Sequence, residues 1–237
     1  MLRWRVSTLR RALGMSLTRV RRVALLTLKW RHAGQACITA QRVYVQRPVY
    51  EAFTRLLAAK VTSELKIGHG TDPDATMGAL TTLRGLEKVK QHVADAVHHN
   101  ATVVCGGKQP QHLSGYFFEP TILTNMTSDM LITREETFGP VAALYVFETE
   151  EEVVGKANDT SMGLASYFFT RDVDRTFRLL DKLEAGMIGM NTGNSSAAES
   201  PFGGIKESGY GKESGKDVAV SEYLIAKTGT LTISEHF

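Results

Sequence analysis

The chain has 237 residues, 43% of them apolar, which is enough for one large domain or two small ones with a sizeable core. Its two cysteines, Cys37 and Cys105, exclude a disulfide framework and lack the spacing of a zinc site, so we expect no metal and a reducing compartment. No apolar run approaches the roughly 20 residues that span a bilayer, so we expect no membrane partner.

The net charge of +3 hides a strong asymmetry along the chain. Residues 1–50 carry ten Arg, one Lys and no acid, whereas the remainder has 17 basic and 25 acidic residues. Three interpretations suit the Arg-rich residues 1–23: a mitochondrial presequence, an arm for nucleic acid or another acidic surface, and a non-native start on a truncated chain. We favour the last. Because the chain beyond residue 50 is acidic, we expect no nucleic-acid partner.

From residue 42 onward, short β-rich runs alternate with segments of helical period. A loop rich in Gly and Asp is predicted at 68–78. The other predicted elements are strands at 42–46, 101–107, 118–123, 141–147, 164–170 and 187–190, and helices at 48–65, 86–100, 150–158 and 172–183. This alternation predicts an α/β sandwich with a largely parallel sheet.

The segment "GQAC", which ends at Cys37, is the first of four that core packing does not explain. Gly34 permits a tight turn with backbone amides near the sulfur, and Arg31 adds positive charge six residues earlier. A cysteine attacks as the thiolate, which such surroundings favour. A nucleophile and a small buried cysteine are both open here. Cys105 ends an apolar strand before two glycines, so we interpret it as structural.

Three further segments are irregular. "EETFGP", residues 135–140, is either a solvated helix end or a carboxylate and a ring that bind a ribose and a base. The long loop 191–213 follows a predicted strand, and ligands in α/β sheets bind beyond the ends of strands. Its Ser195 and Ser196 could bind a polar group, and Lys206 could bind an anion. The alternative is that these residues only form ordinary turns. Residues 221–233 partly alternate apolar and polar, which predicts an edge strand or a strand that pairs across subunits.

In this order, the motifs "GQAC", "EETFGPV", "MGLA", "GMIGMNTG" and "PFGGIKESGYGKE" resemble the C-terminal half of the NAD(P)-dependent aldehyde dehydrogenases, over about 24–233. The resemblance implies a three-layer α/β sandwich, NAD or NADP as cofactor and a small aldehyde as substrate. It implies that Cys37 is the nucleophile and that Glu136 and Phe138 hold the nicotinamide ribose and ring. It also implies that Phe202 lines the aldehyde tunnel.

Two longer stretches, "KWRHAGQAC" and "NTGNSSAAESPFGG", look most like succinate-semialdehyde dehydrogenases. In those enzymes an arginine six residues before the cysteine and a serine of the later loop bind the substrate carboxylate. The resemblance places these roles on Arg31 and Ser196, with the neighbouring Ser195 as the alternative serine. A guanidinium that forms two parallel hydrogen bonds to a carboxylate would select such a substrate.

The resemblance divides the chain into three parts. Residues 1–23 match nothing in the family, residues 24–212 form the catalytic domain with its cofactor-contacting part, and residues 213–237 form an oligomerisation strand and tail. We expect most of the Rossmann-like cofactor domain to be missing, and a catalytically inactive fragment or oligomer partner is therefore the alternative to an enzyme. A full-length chain would form a homo-oligomer in the cytoplasm, or in the mitochondrial matrix if residues 1–23 are a presequence.

Overall fold

A computed structural model describes residues 20–233 of the chain, and the side chains from Leu25 onward. Most of the basic segment predicted at 1–23 lies outside these residues. In chain order the elements are α1 (Val20–Trp30), a 3₁₀ helix (Arg31–Gly34), β1 (Arg42–Gln46), α2 (Arg47–Glu64), α3 (Leu83–His98), β2 (Thr102–Cys105), β3 (Thr121–Thr124), α4 (Leu131–Arg134), β4 (Val141–Phe147), α5 (Glu150–Asn158), β5 (Met162–Gly163), β6 (Ala165–Phe168), α6 (Val173–Lys182), β7 (Met187–Met190), β8 (Ile205–Lys206) and α7 (Asp217–Ser221).

The main sheet has the strand order β1-β4-β3-β2. Strand β4 pairs in parallel with β1 and with β3, and β2 pairs antiparallel with β3 at its edge. Two small sheets join β6 with β7 in parallel and β5 with β8 antiparallel. The predicted α/β class with a largely parallel sheet is therefore confirmed.

The core lies between this sheet and the helices packed on it. Strand β4 is a continuous apolar run, and all four residues of β3 are buried; Ile122, Leu123 and Leu144 are fully buried, as expected for strands covered on both faces. Helix α3 buries Leu86 and Val89 at helical spacing. The predicted period therefore identifies the buried face of this helix.

Helices α3, α5 and α6 begin where a side chain caps the first turn. Thr82 Oγ1 accepts a hydrogen bond from Gly85 N at 3.1 Å, and Thr149 Oγ1 accepts one from Glu152 N at 3.2 Å. Asp172 Oδ1 caps α6 in the same way. Each cap satisfies a backbone donor that has no partner within the helix, which sets the helix boundary.

Two strand predictions need correction. The strand predicted at 118–123 begins at Thr121, after Pro120. The prediction includes Phe118 because it is apolar, but its side chain is buried in the core from a stretch of irregular backbone. The strand predicted at 221–233 is wrong for the single chain, because Ser221 ends α7 and residues 222–233 form no helix or strand. Ile225 and Ile233 are exposed there, since the described residues offer this segment no neighbouring strand. Pairing across subunits stays a prediction.

Candidate active site

Cys37 lies in a sharp turn between α1 and β1. His32, Ala33 and Gly34 have φ values of 53°, 54° and 74°, so three successive left-handed residues reverse the chain before the cysteine. Thr39 N then donates to Ala36 O at 2.9 Å and closes a turn around Cys37, whose side chain is exposed. The alternative of a small buried cysteine is therefore wrong, and the exposure is what a nucleophile requires.

Cys105, the other cysteine, has a different environment. It is half-buried at the end of β2, and burial raises the pKa of its thiol. A thiol that is protonated and half-buried is a poor nucleophile. This environment fits the structural role predicted for Cys105.

The turn is held in place by the segment 135–140, which is distant in sequence. An added Cβ at Gly34 would lie 2.1 Å from Gly139 O, so the two backbones touch and only glycine fits. Next to this contact, the buried Trp30 Nε1 donates to Pro140 O at 3.0 Å. The structure thus joins the "GQAC" and "EETFGP" motifs into one site.

Two side chains that we did not predict as site residues anchor the segment 135–140. Gln41 Nε2 donates to Ile132 O and Glu135 O, each at 2.8 Å, and Gln41 Oε1 accepts from Thr137 N at 3.1 Å. The buried His92 Nδ1 lies 3.0 Å from Thr137 Oγ1, and burial lowers the pKa of His92, which favours the neutral ring. The helical spacing of His92 from Leu86 and Val89 indicates a buried position, whereas Gln41 lies in a polar pair with Arg42 and has no such signal.

Glu136 and Phe138 remain exposed on this anchored segment. Phe138 has a left-handed φ of 52°, and its side chain is 40% exposed. The fully buried Lys29 lies within electrostatic reach of Glu136: burial lowers the Lys29 pKa to about 7, and the charge of Glu136 opposes that shift. An exposed carboxylate and ring on a fixed segment have the chemistry needed to hold a nicotinamide ribose and ring.

A cavity of about 200 Å³ adjoins the cysteine turn. Ala36 and Ile38, the neighbours of Cys37, line it, and so do Arg31 and Ser196. The two residues predicted to bind a carboxylate therefore come together beside the predicted nucleophile, although they are far apart in sequence.

Tyr167 of β6 also lines this cavity and was not predicted as a site residue. Its hydroxyl donates to Ile38 O at 2.9 Å and lies 2.8 Å from Ser195 Oγ. Ser195 is thus engaged with Tyr167, whereas Ser196 Oγ has a long contact of 3.4 Å with Asn194 Oδ1. This geometry favours Ser196 over Ser195 as the serine available to a ligand.

Residues 22–228 match the aldehyde dehydrogenase family. The chain belongs to this family. Succinate-semialdehyde dehydrogenase [NADP(+)] 1 of Schizosaccharomyces pombe is 49% identical over 211 residues, which cover 89% of this chain and 42% of that protein. Glutarate-semialdehyde dehydrogenase of Pseudomonas aeruginosa is 48% identical over 202 residues, covering 85% and 41%.

Solved aldehyde dehydrogenase structures share the fold. Succinate-semialdehyde dehydrogenase from Burkholderia pseudomallei matches with a TM-score of 0.84 and 43% identity, over 88% of this chain and 42% of that chain. A betaine aldehyde dehydrogenase mutant from Staphylococcus aureus, in complex with NAD+, matches with a TM-score of 0.82 and 36% identity, over 88% and 43%. The chain thus spans about 40% of the length of these aldehyde dehydrogenases.

Two residues of the loop 191–213 lie apart from the cavity of this aldehyde dehydrogenase chain. Phe202 is half-buried and does not line the cavity. Lys206 Nζ donates to Asn158 O at 3.0 Å and Thr160 O at 3.1 Å and pairs with Glu184. Its ammonium therefore stabilises the turn at 158–160, and the predicted anion site is not formed.

Neither a metal centre nor a membrane span is found in the part of the chain that the structure describes. Residues 20–233 contain no group of three or more His, Cys, Asp or Glu side chains placed to hold a metal ion. None of the helices in that range is long and apolar enough to cross a membrane.

Proposed function

We propose that this chain carries the nucleophile and the carboxylate-binding half of an enzyme that oxidises succinate semialdehyde to succinate with NAD or NADP. The observation that carries the proposal is the cavity beside Cys37, which Arg31 and Ser196 line together. A guanidinium and a hydroxyl can both donate to a carboxylate. Relatives named for succinate semialdehyde and for glutarate semialdehyde support a substrate with an aldehyde at one end and a carboxylate at the other.

In the proposed reaction, the Cys37 thiolate attacks the aldehyde carbon and forms a thiohemiacetal. The Cys37 backbone amide would donate to the oxyanion. A nicotinamide held by Glu136 and Phe138 would supply the hydride acceptor, so that the Cys37 adduct would lose a hydride from this carbon and become a thioester. Water then hydrolyses the thioester, releasing the carboxylic acid and the free thiol. Glu136 would accept hydrogen bonds from the ribose diol, and the Phe138 ring would pack against the cofactor.

Arg31 gives the proposed site its preference for a charged aldehyde. Arg31 is exposed and lines the cavity, and Ser196, which could supply a second donor, lines it from the loop that follows β7. A hydrogen bond to a charged group contributes about 1.5–3 kcal/mol, which corresponds to roughly tenfold to hundredfold in affinity. We therefore expect an uncharged aldehyde of the same length to bind much more weakly.

A chemical protection assay on the 237-residue chain tests the nucleophile and the carboxylate site without a cofactor. Iodoacetamide alkylates exposed thiols, and mass spectrometry measures the rate separately at Cys37 and Cys105. A thiohemiacetal blocks Cys37, so succinate semialdehyde should slow its alkylation at lower concentration than butanal does. Arg31→Ala should weaken the protection by succinate semialdehyde about tenfold and leave that by butanal unchanged.

The matched control is Arg55→Ala, which removes an exposed arginine from α2. This variant should behave like the unaltered chain. If neither aldehyde protects Cys37 in the unaltered chain, Cys37 is not the nucleophile that we propose. If Arg31→Ala weakens both aldehydes equally, Arg31 does not bind the carboxylate.

A second candidate function is a non-catalytic partner of a longer aldehyde dehydrogenase subunit. The exposed segment 222–233 favours it, because Leu224, Ile225, Leu231 and Ile233 could be covered when the segment pairs with another subunit. Turnover of succinate semialdehyde with NAD+ or NADP+, abolished in Cys37→Ala, would favour the enzyme. Assembly with a longer subunit without such turnover would favour the partner.

The compartment is part of the same proposal. A rat relative, 46% identical over 199 residues, is named a mitochondrial succinate-semialdehyde dehydrogenase. This relative supports the mitochondrial matrix as the alternative to the cytoplasm. Microscopy of the chain fused to a fluorescent protein at its C-terminus would distinguish the two compartments.

A further inference from the structure

Tyr167 connects two segments of the site that are otherwise held by different parts of the fold. It lies in β6, and its hydroxyl reaches Ile38 O, next to Cys37, at 2.9 Å. The same hydroxyl reaches Ser195 Oγ at 2.8 Å, in the loop that carries Ser196. One phenol oxygen therefore bridges the cysteine turn and the loop that follows β7.

The direction of these two hydrogen bonds follows from the atoms involved. A backbone carbonyl only accepts, so the single phenol proton must be donated to Ile38 O. Ser195 must then donate its own hydroxyl proton to the phenol oxygen. The chain of bonds runs from Ser195 through Tyr167 to Ile38, and it leaves Ser195 without a proton for a ligand.

The fold holds the Tyr167 ring in place. Tyr167 pairs with Gly189 in the parallel ladder of β6 and β7. A Cβ at position 189 would lie 2.5 Å from Tyr167 Cδ1 and 2.9 Å from Cε1, so the ring occupies the space that a side chain would fill.

Burial raises the pKa of the Tyr167 phenol, the Ser195 hydrogen bond opposes this shift, and the charge of Cys37 adds to it. The phenol therefore keeps the proton that it donates.

We propose that Tyr167 is a positioning residue that sets the separation between Cys37 and the Ser196 loop. This inference rests on the proposed function, because it takes Cys37 as the nucleophile and Ser196 as a carboxylate ligand. A ligand with an aldehyde and a carboxylate binds both places at once only if their separation is fixed. A ligand with an aldehyde alone does not depend on that separation.

Tyr167→Phe tests this inference in the 237-residue chain with two probes, succinate semialdehyde and butanal. The measurement is the concentration of each aldehyde that halves the rate of Cys37 alkylation by iodoacetamide. We expect Tyr167→Phe to raise this concentration for succinate semialdehyde about fivefold to tenfold, the effect of one lost hydrogen bond, and to leave that for butanal within about twofold. The selectivity between the two probes is a readout that a general loss of stability would not change.

Tyr44→Phe is the matched control. The Tyr44 hydroxyl accepts from Arg42 Nη1 and donates to Lys156 O, each at 3.2 Å, so it makes the same pair of bonds away from the cavity. This variant should keep the selectivity of the unaltered chain. If Tyr167→Phe weakens protection by both aldehydes equally, or by neither, Tyr167 does not set the separation and the inference fails while the proposed function stands.

The Ser195 hydrogen bond provides a second, independent test. Ser195→Ala removes the donor to the phenol, so it should reduce the selectivity in the same direction as Tyr167→Phe. The double variant should be no worse than Tyr167→Phe alone, because both changes break the same bridge. Additive losses would overturn the bridge. Failure of both aldehydes to protect the unaltered chain would overturn the proposed function and this inference together.

Discussion

Replacing Gly34 by alanine tests whether the cysteine turn depends on its contact with the segment 135–140. Gly34 has a φ of 74°, and a left-handed conformation costs an alanine about 1–2 kcal/mol. The added Cβ would also lie 2.1 Å from Gly139 O and 2.6 Å from Gly139 C. Such overpacking against backbone costs about 1–3 kcal/mol, because neither segment can move without breaking its anchors.

The sum predicts that Gly34→Ala lowers the free energy of unfolding by about 3 kcal/mol. For a chain of this size, that loss lowers the unfolding temperature by roughly 6–12 °C. Differential scanning calorimetry or urea unfolding measures it. Alkylation of Cys37 by iodoacetamide, followed in the same samples below the transition, reports whether the turn itself has shifted.

Two other glycines serve as controls that separate the conformational cost from the cost of the close contact. Gly209 has a φ of 87° but no heavy atom within 4 Å of an added Cβ, so Gly209→Ala should show only the conformational cost of about 1–2 kcal/mol. Gly78 has open space and no left-handed φ, so Gly78→Ala should be neutral or slightly stabilising. If Gly34→Ala destabilises no more than Gly209→Ala, the close contact with Gly139 does not hold the turn and our account of the site is refuted.

Two further predictions concern the anchors of the segment 135–140. Gln41→Ala should lower the free energy of unfolding, measured with urea, by about 2 kcal/mol, because it removes several hydrogen bonds to that segment. The control Gln109→Ala removes one hydrogen bond of 3.5 Å and should be nearly neutral. Equal effects would contradict the anchoring role. Burial lowers the folded pKa of His92, so the unfolded chain binds more protons and stability falls as the pH drops below about 6.5. His92→Gln should flatten this dependence below about pH 6.5 in unfolding titrations, and a slope equal to that of the unaltered chain would exclude the His92 contribution.

The helices and strands that the sequence could predict are those whose bounds are set by the residues next to them. The runs at 141–147 and 187–190 are strands with the predicted bounds, because each apolar run is delimited by Pro140 or Gly186 and by polar residues beyond it. Residues 221–233 show the limit of such patterns. Their alternation is typical of a half-buried strand, but a strand also needs a neighbour to pair with, and the described residues provide none.

The same distinction applies to the site. Cys37, Arg31, Glu136 and Ser196 belong to short motifs, and the motifs predict that these residues lie together. Tyr167 has no such signal, because a single tyrosine in an apolar run predicts only a strand residue. Its position beside Ile38 and Ser195 arises from the parallel pairing of β6 with β7 and from the missing side chain at Gly189. The proposed carboxylate site therefore depends on a residue that only the tertiary fold identifies, which is why Tyr167→Phe should change selectivity between aldehydes more than it changes stability.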